Sequence, residues 1–399
     1  MRNSHKMKIG VITQICNTKS GSRAPIELAI ALAKKNSVCF YATDQNYDPK
    51  AHQQLTTSSV NVRLIKTETT PLIGKWLAGL KVRKLIRQDQ PHILSAHCML
   101  SLLIGTTLAR LPIVSTYYGT QLNAYLERLP PYQKPNIKDK LLNWLGNQII
   151  LLIQKVHFKL SDQIVAISQY TSQEAQTLYN RTIPYIYLGA KPLTNTSRST
   201  PNLSPPTTYY LPPTTILSVS RFTPYKGFHH LIETFNKLAV IYPEIKLTIA
   251  GSLGSQKYLD YLKEIANDKV SFIINCDDEK LAQLYQASDI YATCDKYLFF
   301  GLPILEAASF SKPSVALNFC AANKVIEHGK TGFMANNLNE LESYLERLIQ
   351  KPTVRRNLGA NARKRAKEMF TWGKTAGEYE TLFNQFLENS QMRKYNNIR

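Results

Sequence analysis

The stretch Lys8-Ile9-Gly10-Val11-Ile12-Thr13-Gln14-Ile15-Cys16 is a short, mostly apolar run that reads as a β-strand. Gly21-Ser22 follows it. Ile26 to Lys35 then carries apolar residues at helical spacing, and Ser37 to Ala42 is a second short strand. Strand, glycine-containing loop, helix and strand together open a doubly wound parallel sheet. The alternation continues outward. Strands are expected at Val60 to Ile65, His92 to Ala96, Ile113 to Tyr117 and Gln163 to Ile167, with helices at Trp76 to Arg87, Leu100 to Ala109 and Leu141 to Leu160. From Lys191 to Pro213 the chain turns rich in Pro, Thr, Ser and Asn and loses its periodicity, as a linker does. Beyond it the same alternation resumes, from a strand at Thr215 to Ser220 to another at Ser314 to Leu317. The fold class is α/β, with two Rossmann-like doubly wound domains. The expected division is 1–190, a linker at 191–213, 214–372, and a closing segment at 373–399. Ligands of such sheets bind at the carboxyl ends of the strands, here expected to face a cleft between the domains.

Length and composition agree. At roughly 100–200 residues per domain, a chain of 399 residues holds two or three domains. Apolar types at 44% and charged types at 19% exclude general disorder. The longest strongly apolar cluster, Ile149 to Ile153, falls far short of the roughly 20 residues of a membrane span. The basic start lacks the long apolar core of a signal peptide, so a cytoplasmic protein is expected. The six cysteines are scattered with no CxxC, which argues against a disulfide scaffold or a structural zinc site. The net charge of +21 stands out in an otherwise ordinary composition.

Two stretches carry candidate chemistry. In Ser220-Arg221-Phe222-Thr223-Pro224-Tyr225-Lys226-Gly227-Phe228, two cations five residues apart sit on a turn between a strand and a helix. They either converge on a diphosphate, with the Arg fork and the Lys point charge sharing its oxygens, or are solvated surface cations. In Phe300-Gly301-Leu302-Pro303-Ile304-Leu305-Glu306-Ala307, Gly301 permits a tight turn and Pro303 suits a first helical turn. A helix N-terminus there would offer amides to an anion. Glu306, read as a first-turn residue, either complements the helix dipole or accepts hydrogen bonds from sugar hydroxyls.

Taken together, these stretches resemble the nucleotide-sugar site of GT-B glycosyltransferases of family 4. Smaller matches fall in the same order: Ala250-Gly251-Ser252, Leu281 to Asp289 (LAQLYQASD), Lys312-Pro313, Ile326 to Phe333 (IEHGKTGF) and Phe370-Thr371-Trp372. Before them stand Gly21 and Ser161 to Ser168 (SDQIVAIS). The resemblance implies a retaining glycosyl transfer from a nucleoside-diphosphate sugar to a glycan, lipid-linked or other hydroxyl acceptor. Cell-surface polysaccharide or glycolipid synthesis is the implied setting. It implies no bound catalytic metal and no cofactor apart from the donor substrate. Arg221 and Lys226 would neutralise the leaving diphosphate. Glu306 would bind ribose hydroxyls. Gly21, Gly251 and the backbone of Gly301, Leu302, Pro303 and Ile304 would complete the nucleotide-sugar site. The closing segment would pack back on the first domain.

The sequence departs from the family pattern in two places. Eight positions before Glu306, where the family has a second glutamate, stands Leu298. Asp295 either substitutes for it or is a surface residue paired with Lys296. In Thr116-Tyr117-Tyr118-Gly119-Thr120-Gln121, Tyr118 replaces the family's His and Gln121 its Asp. Tyr118 can donate a hydrogen bond to the reacting sugar but is a poor base near neutral pH. His97, at the end of an earlier strand, is the nearest other candidate. These changes keep open a catalytically inactive nucleotide-sugar or carbohydrate-binding protein as the alternative.

Lys134 to Lys159 is basic at both ends and apolar in the middle. The apolar residues at 141, 142, 145, 149, 152 and 153 predict one face of a buried core helix. The basic N-terminal end and Trp144 also suit an anionic membrane surface, which would make the protein peripheral. A nucleic-acid partner is not expected, because no zinc-finger spacing, RNA-binding signature or arginine-rich tail accompanies the charge.

Overall fold

In a computed structural model of the chain, the structure describes residues 6–17, 23–45, 47–67, 73–97, 100–190 and 214–396. Gly21 and the 191–213 linker lie outside the described residues. The first sheet contains β1 (Lys8–Ile15), β2 (Ser37–Thr43), β3 (Asn61–Ile65), β4 (Ile93–His97), β5 (Ile113–Tyr117) and β6 (Gln163–Ala166). Its helices are α1 (Arg23–Ala33), α2 (Pro49–Thr57), α3 (Ile73–Asp89), α4 (Leu100–Thr107), α5 (Ile137–Leu160) and α6 (Gln169–Tyr179). The second sheet contains β7 (Thr215–Val219), β8 (Lys246–Gly251), β9 (Val270–Ile274), β10 (Ile290–Thr293), β11 (Ser314–Leu317) and β12 (Gly332–Ala335). With it go α7 (Phe228–Ile241), α8 (Gln256–Ile265), α9 (Asp278–Ala287), α10 (Leu302–Ser309), α11 (Ala322–Val325), α12 (Leu338–Gln350) and α13 (Pro352–Met369). The last helix is α14 (Trp372–Asn396).

Both sheets have one topology. The first runs β3-β2-β1-β4-β5-β6, and the second, in the same sense, β9-β8-β7-β10-β11-β12. All neighbouring strands are parallel. The strand order reverses between β1 and β4, and again between β7 and β10. Each reversal is a switch point, where a crevice opens at the carboxyl ends of the strands.

The central strands are buried on both faces, as parallel strands covered by helices must be. In β1, Ile9 and Val11 join a core with α1 and the α14 residues Ala376, Tyr379 and Phe383. Ile12, pointing the other way, joins Tyr41, Val82, Ile86 and Leu102. The second unit's main core packs Ile216, Leu247 and Val315 against Leu231 and Phe235 of α7, Tyr258 of α8 and Leu345 of α12.

The two sheets share an anchoring device. Asp162, just before β6, accepts the Ile113 N–H at 2.9 Å and gives its own N–H to the Ile113 carbonyl. Asp289, just before β10, does the same with Thr215 at 3.0 Å. Each aspartate thus satisfies the first amide of the neighbouring strand, which has no ladder partner of its own. The Ser-Asp pairs at 161–162 and 288–289 are structural.

Contacts group Met1–Leu122, Asn147–Gly189 and Thr371–Arg399 as one unit, and Asn123–Gly146 with Ala190–Phe370 as the other. A division at 190 assigns Asn123–Gly146 to the first domain; its packing assigns it to the second. There Tyr132 lies 5.1 Å, ring to ring, from Tyr261. Beyond the linker, α11, α12 and β12 are absent from the sequence expectation, and before it two helices are. In α2, Asp48 caps the N-terminus by accepting the Lys50 N–H, and Pro49 opens the first turn. In α6, Ser168 and Thr171 form a reciprocal capping box.

The expectation of a buried α5 is wrong. Leu141, Leu142, Leu145, Ile149, Leu152 and Ile153 are all exposed. Asp139 and Asn143, on the opposite side, are buried instead. Apolar periodicity identifies the distinctive face of a helix, but the direction of that face is set by what packs there. Here the inward side is held by polar bonds: Asp139 accepts from Tyr125 Oη at 3.1 Å, and Asn143 Nδ2 donates to Asn123 Oδ1 at 2.9 Å.

Candidate active site

The second unit builds its site at the β7/β10 switch point. Beyond β7 the chain stays tied to β8: Ser220 N–H reaches the Ala250 carbonyl at 3.0 Å, and Phe222 N–H the Ser252 carbonyl at 2.9 Å. Phe222 is wholly buried, so the turn is pinned by an apolar anchor between its two cations. A single 3₁₀ turn, Pro224–Lys226, then leads through Gly227 into α7. Arg221 stands exposed at the start of this turn.

Lys226 is less exposed. Its Nζ lies 2.6 Å from Asp295 Oδ2, and the two side chains are only 17% and 7% exposed. Asp295 follows β10, so this ion pair bridges the two strands of the switch point. The other carboxylate oxygen accepts the Tyr297 N–H at 2.9 Å. Of the two sequence alternatives for Asp295, pairing with Lys296 is therefore excluded. Asp295 is a buried partner of Lys226, with both oxygens engaged.

Gly301 adopts φ of 99° and caps α10, a left-handed conformation that favours glycine. The helix N-terminus offers less to an anion than the sequence implies. Pro303 has no N–H, and the Ile304 and Leu305 N–H groups both bond the Gly301 carbonyl. Among the described residues, Leu302 N–H is the amide of that turn left for a ligand. Glu306 lies past the first turn and is buried, so it is not a dipole-complementing surface residue. Its Oε2 accepts from Tyr285 Oη at 2.9 Å. Tyr285 is stacked on Phe310 at 5.8 Å and holds the carboxylate in place. Leu298 is buried, close to Gly301, and gives the site no polar group.

The first unit places a second constellation at the ends of β4 and β5. His97 closes β4, and its Nδ1 lies 2.8 Å from Tyr118 Oη. Its Nε2 lies 3.0 Å from Ser95 Oγ. Burial pushes His97 down to about 3 and Tyr118 well above the ordinary tyrosine range. Both are neutral near pH 7, and neither serves there as a charged group. The loop that carries Tyr118 is fixed by partly buried Glu174, which accepts from Tyr117 Oη at 2.6 Å and from the Thr120 N–H at 2.9 Å. Gln121 Nε2 is buried with no hydrogen-bond partner among the described residues.

Residues 22–191 match the family described as Glycosyltransferase Family 4, and residues 201–365 match Glycosyl transferases group 1. These two matches, one in each half, mark the chain as one of the GT-B glycosyltransferase family 4 type. An uncharacterized glycosyltransferase of Haemophilus influenzae is 34% identical over 145 residues, 35% of this chain and 40% of that protein. The capsular polysaccharide biosynthesis glycosyltransferase CapM of Staphylococcus aureus is 27% identical over 178 residues, 43% of this chain and 46% of its own. The chain thus aligns with less than half the length of these curated relatives. Among solved structures, Anabaena HepE in complex with UDP and glucose superposes with a TM-score of 0.72 at 19% identity, over 95% of this chain and all of that one. WaaG, a glycosyltransferase involved in lipopolysaccharide biosynthesis, gives 0.67 at 14% identity, over 93% and 98%. At such identities the likeness establishes the GT-B fold.

In this family 4 glycosyltransferase, sequence reasoning misses Tyr285 and Glu174, the residues that orient Glu306 and the Tyr118 loop. Both lie on helices distant in sequence from the groups they hold. Tyr285 sits inside the recognisable LAQLYQASD segment, but nothing in its spacing marks its partner.

Three buried or partly buried histidines are expected to make this protein acid-sensitive. Burial lowers His97 and His229 to about 3 and His157 to about 4. The ordinary value is near 6.5, so below it the unfolded chain binds protons that the folded chain refuses. The stability they confer is complete above pH 6.5 and falls as pH drops toward 4. The loss is at most about 1.4 kcal/mol per pH unit for each histidine. Urea midpoints at pH 7 and pH 5 check this, and equal midpoints would contradict neutral burial.

Proposed function

We propose that this chain is a cytoplasmic retaining glycosyltransferase. It transfers a hexose-type sugar from a nucleoside-diphosphate sugar to a hydroxyl of a glycan or lipid-linked acceptor, in cell-surface polysaccharide or glycolipid synthesis. The observation that carries this reading is the Lys226–Asp295 pair across the β7/β10 switch point, with Arg221 on the same turn. The second unit's crevice therefore carries cations where an open α/β sheet binds its ligand. Two similar proteins support it: CapM acts in capsular polysaccharide biosynthesis, and the fold neighbour HepE is in complex with UDP and glucose.

In the proposed reaction the bond from the sugar's anomeric carbon to the diphosphate oxygen breaks. A bond from the same carbon to the acceptor oxygen forms on the same face, and the acceptor proton passes to the leaving phosphate. Negative charge grows on the diphosphate as it leaves. Arg221, Lys226 and Leu302 N–H supply the stabilisation, without a metal ion in the scheme. Glu306, held by Tyr285, accepts from the ribose hydroxyls. In the first unit, neutral Tyr118, oriented by His97, donates a hydrogen bond to the sugar. No protein base is required, which suits a tyrosine held neutral.

A panel of nucleotide sugars against the purified protein tests this reading. One nucleoside diphosphate is expected to raise the melting temperature, and its sugar to appear on acceptor with the donor's anomeric configuration, unaffected by EDTA. Inversion, or a strict Mg²⁺ requirement, refutes the mechanism. Stabilisation by nucleotide with no transfer from any donor supports instead a binding-only protein, the reading that apolar Leu298 favours.

A further inference from the structure

The exposed face of α5 is a feature that glycosyl transfer does not use. Ile137 is 86% exposed, Leu141 and Trp144 56%, Ile149 58% and Leu152 63%. Leu142, Leu145 and Ile153 are exposed beside them. At about 100° per residue, these eight side chains fall on one half of the helix circumference. Single exposed apolar residues are ordinary, but a contiguous stripe along one helix marks a contact surface.

The charges on the same face select the partner. Lys138, Lys155 and Lys159 project within the apolar arc, and Lys140 flanks it; all four are exposed. The one acid of α5, Asp139, is on the buried side and bonded to Tyr125 and Asn136. The face therefore carries apolar groups and cations with no carboxylate. Two copies of it packed together would set lysine against lysine with nothing to neutralise them. An anionic phospholipid surface satisfies both components, with aliphatic side chains entering the acyl boundary and ammonium groups at the phosphates. Lysine stems extend along the apolar surface while their heads stay in the polar layer, and Trp144 suits that boundary. Among the described residues, no helix is long and apolar enough to cross a membrane.

We propose that α5 lies flat on an anionic bilayer and docks this protein to it through Leu141, Trp144, Leu145, Ile149 and Leu152, with Lys138, Lys155 and Lys159 binding lipid phosphates. The proposal is independent of the donor assignment, because none of these residues is placed in the transfer site.

Flotation with vesicles of phosphatidylcholine, with and without phosphatidylglycerol, tests it. The protein is expected to float with the anionic vesicles at low salt and to stay behind with the neutral ones. Each Lys→Gln change at 138, 155 or 159 weakens partitioning about fivefold, and added salt weakens it further. The combined change Leu141→Gln, Leu145→Gln, Ile149→Gln, Leu152→Gln lowers partitioning by more than about tenfold. Because these positions are exposed, the melting temperature stays within about two degrees of the parent, which separates lost docking from lost folding. Partitioning unchanged by the four glutamines, or equal on neutral and anionic vesicles, overturns the proposal. So does a dimer in solution that the same four changes dissociate, since a second copy would then be the occupant.

Discussion

Lys226→Ala is expected to slow donor turnover about ten- to a hundredfold and to lower stability by about 3 kcal/mol as well. The two losses have different origins. A charged hydrogen bond to the leaving diphosphate is worth roughly 1.5–3 kcal/mol, which sets the kinetic loss. The stability loss arises because Asp295 is buried and would be left without its counter-ion, 2.6 Å away in the intact protein. Arg221 is exposed, so Arg221→Ala is expected to share the kinetic loss at a smaller cost in stability than Lys226→Ala. The double variant Lys226→Ala, Asp295→Asn separates the terms. It removes the buried charge together with its partner, and is expected to regain most of the stability and none of the turnover. Steady-state kinetics and urea denaturation on the four proteins read both. If the double variant regains turnover, Lys226 acts only as the counter-ion of Asp295 and the diphosphate assignment fails.

Gly251→Ala is expected to cost about 3 kcal/mol and to weaken donor binding, although it adds only one methyl group. Gly251 ends β8 at φ of 154°, and a Cβ built there would collide with the Ser220 carbonyl. Ser220 immediately precedes Arg221 and is itself bonded to Ala250, so the two strand ends cannot separate without moving the cationic turn. The same substitution at Gly146, inside α5 where an added Cβ meets nothing, provides a control expected to be neutral or stabilising by up to about 1 kcal/mol. Stability of Gly251→Ala within about 0.5 kcal/mol of the parent would show that the turn yields freely.

The fold is legible in the sequence because parallel strands buried on both faces leave short apolar runs such as Lys8–Ile15, separated by helical periodicity. The cationic turn is legible because Arg221 and Lys226 lie within one local segment between a strand and a helix. The partners of these groups are not legible. Lys226 and Asp295 are 69 residues apart, Glu306 and Tyr285 are 21 apart, and His97 and Tyr118 are 21 apart. Each pair meets only because the strand order brings segments distant in sequence, strand ends or the helices beside them, next to one another.

Helix α5 shows the same division. Its alternation of apolar and polar residues determines that it is a helix with two unlike faces. The direction of those faces is decided by tertiary packing, where Tyr125, Asn123 and Asn136 occupy the polar side. By itself, then, the sequence determined two doubly wound α/β domains, the cationic turn and the glycosyltransferase resemblance, all of which follow from local periodicity and local motifs. Only the tertiary structure decided that Asp295 is the buried counter-ion of Lys226, that Glu306 is an oriented interior carboxylate, and that the apolar stripe of α5 faces outward. Those outcomes depend on contacts between residues remote in the chain, to which local spacing is blind.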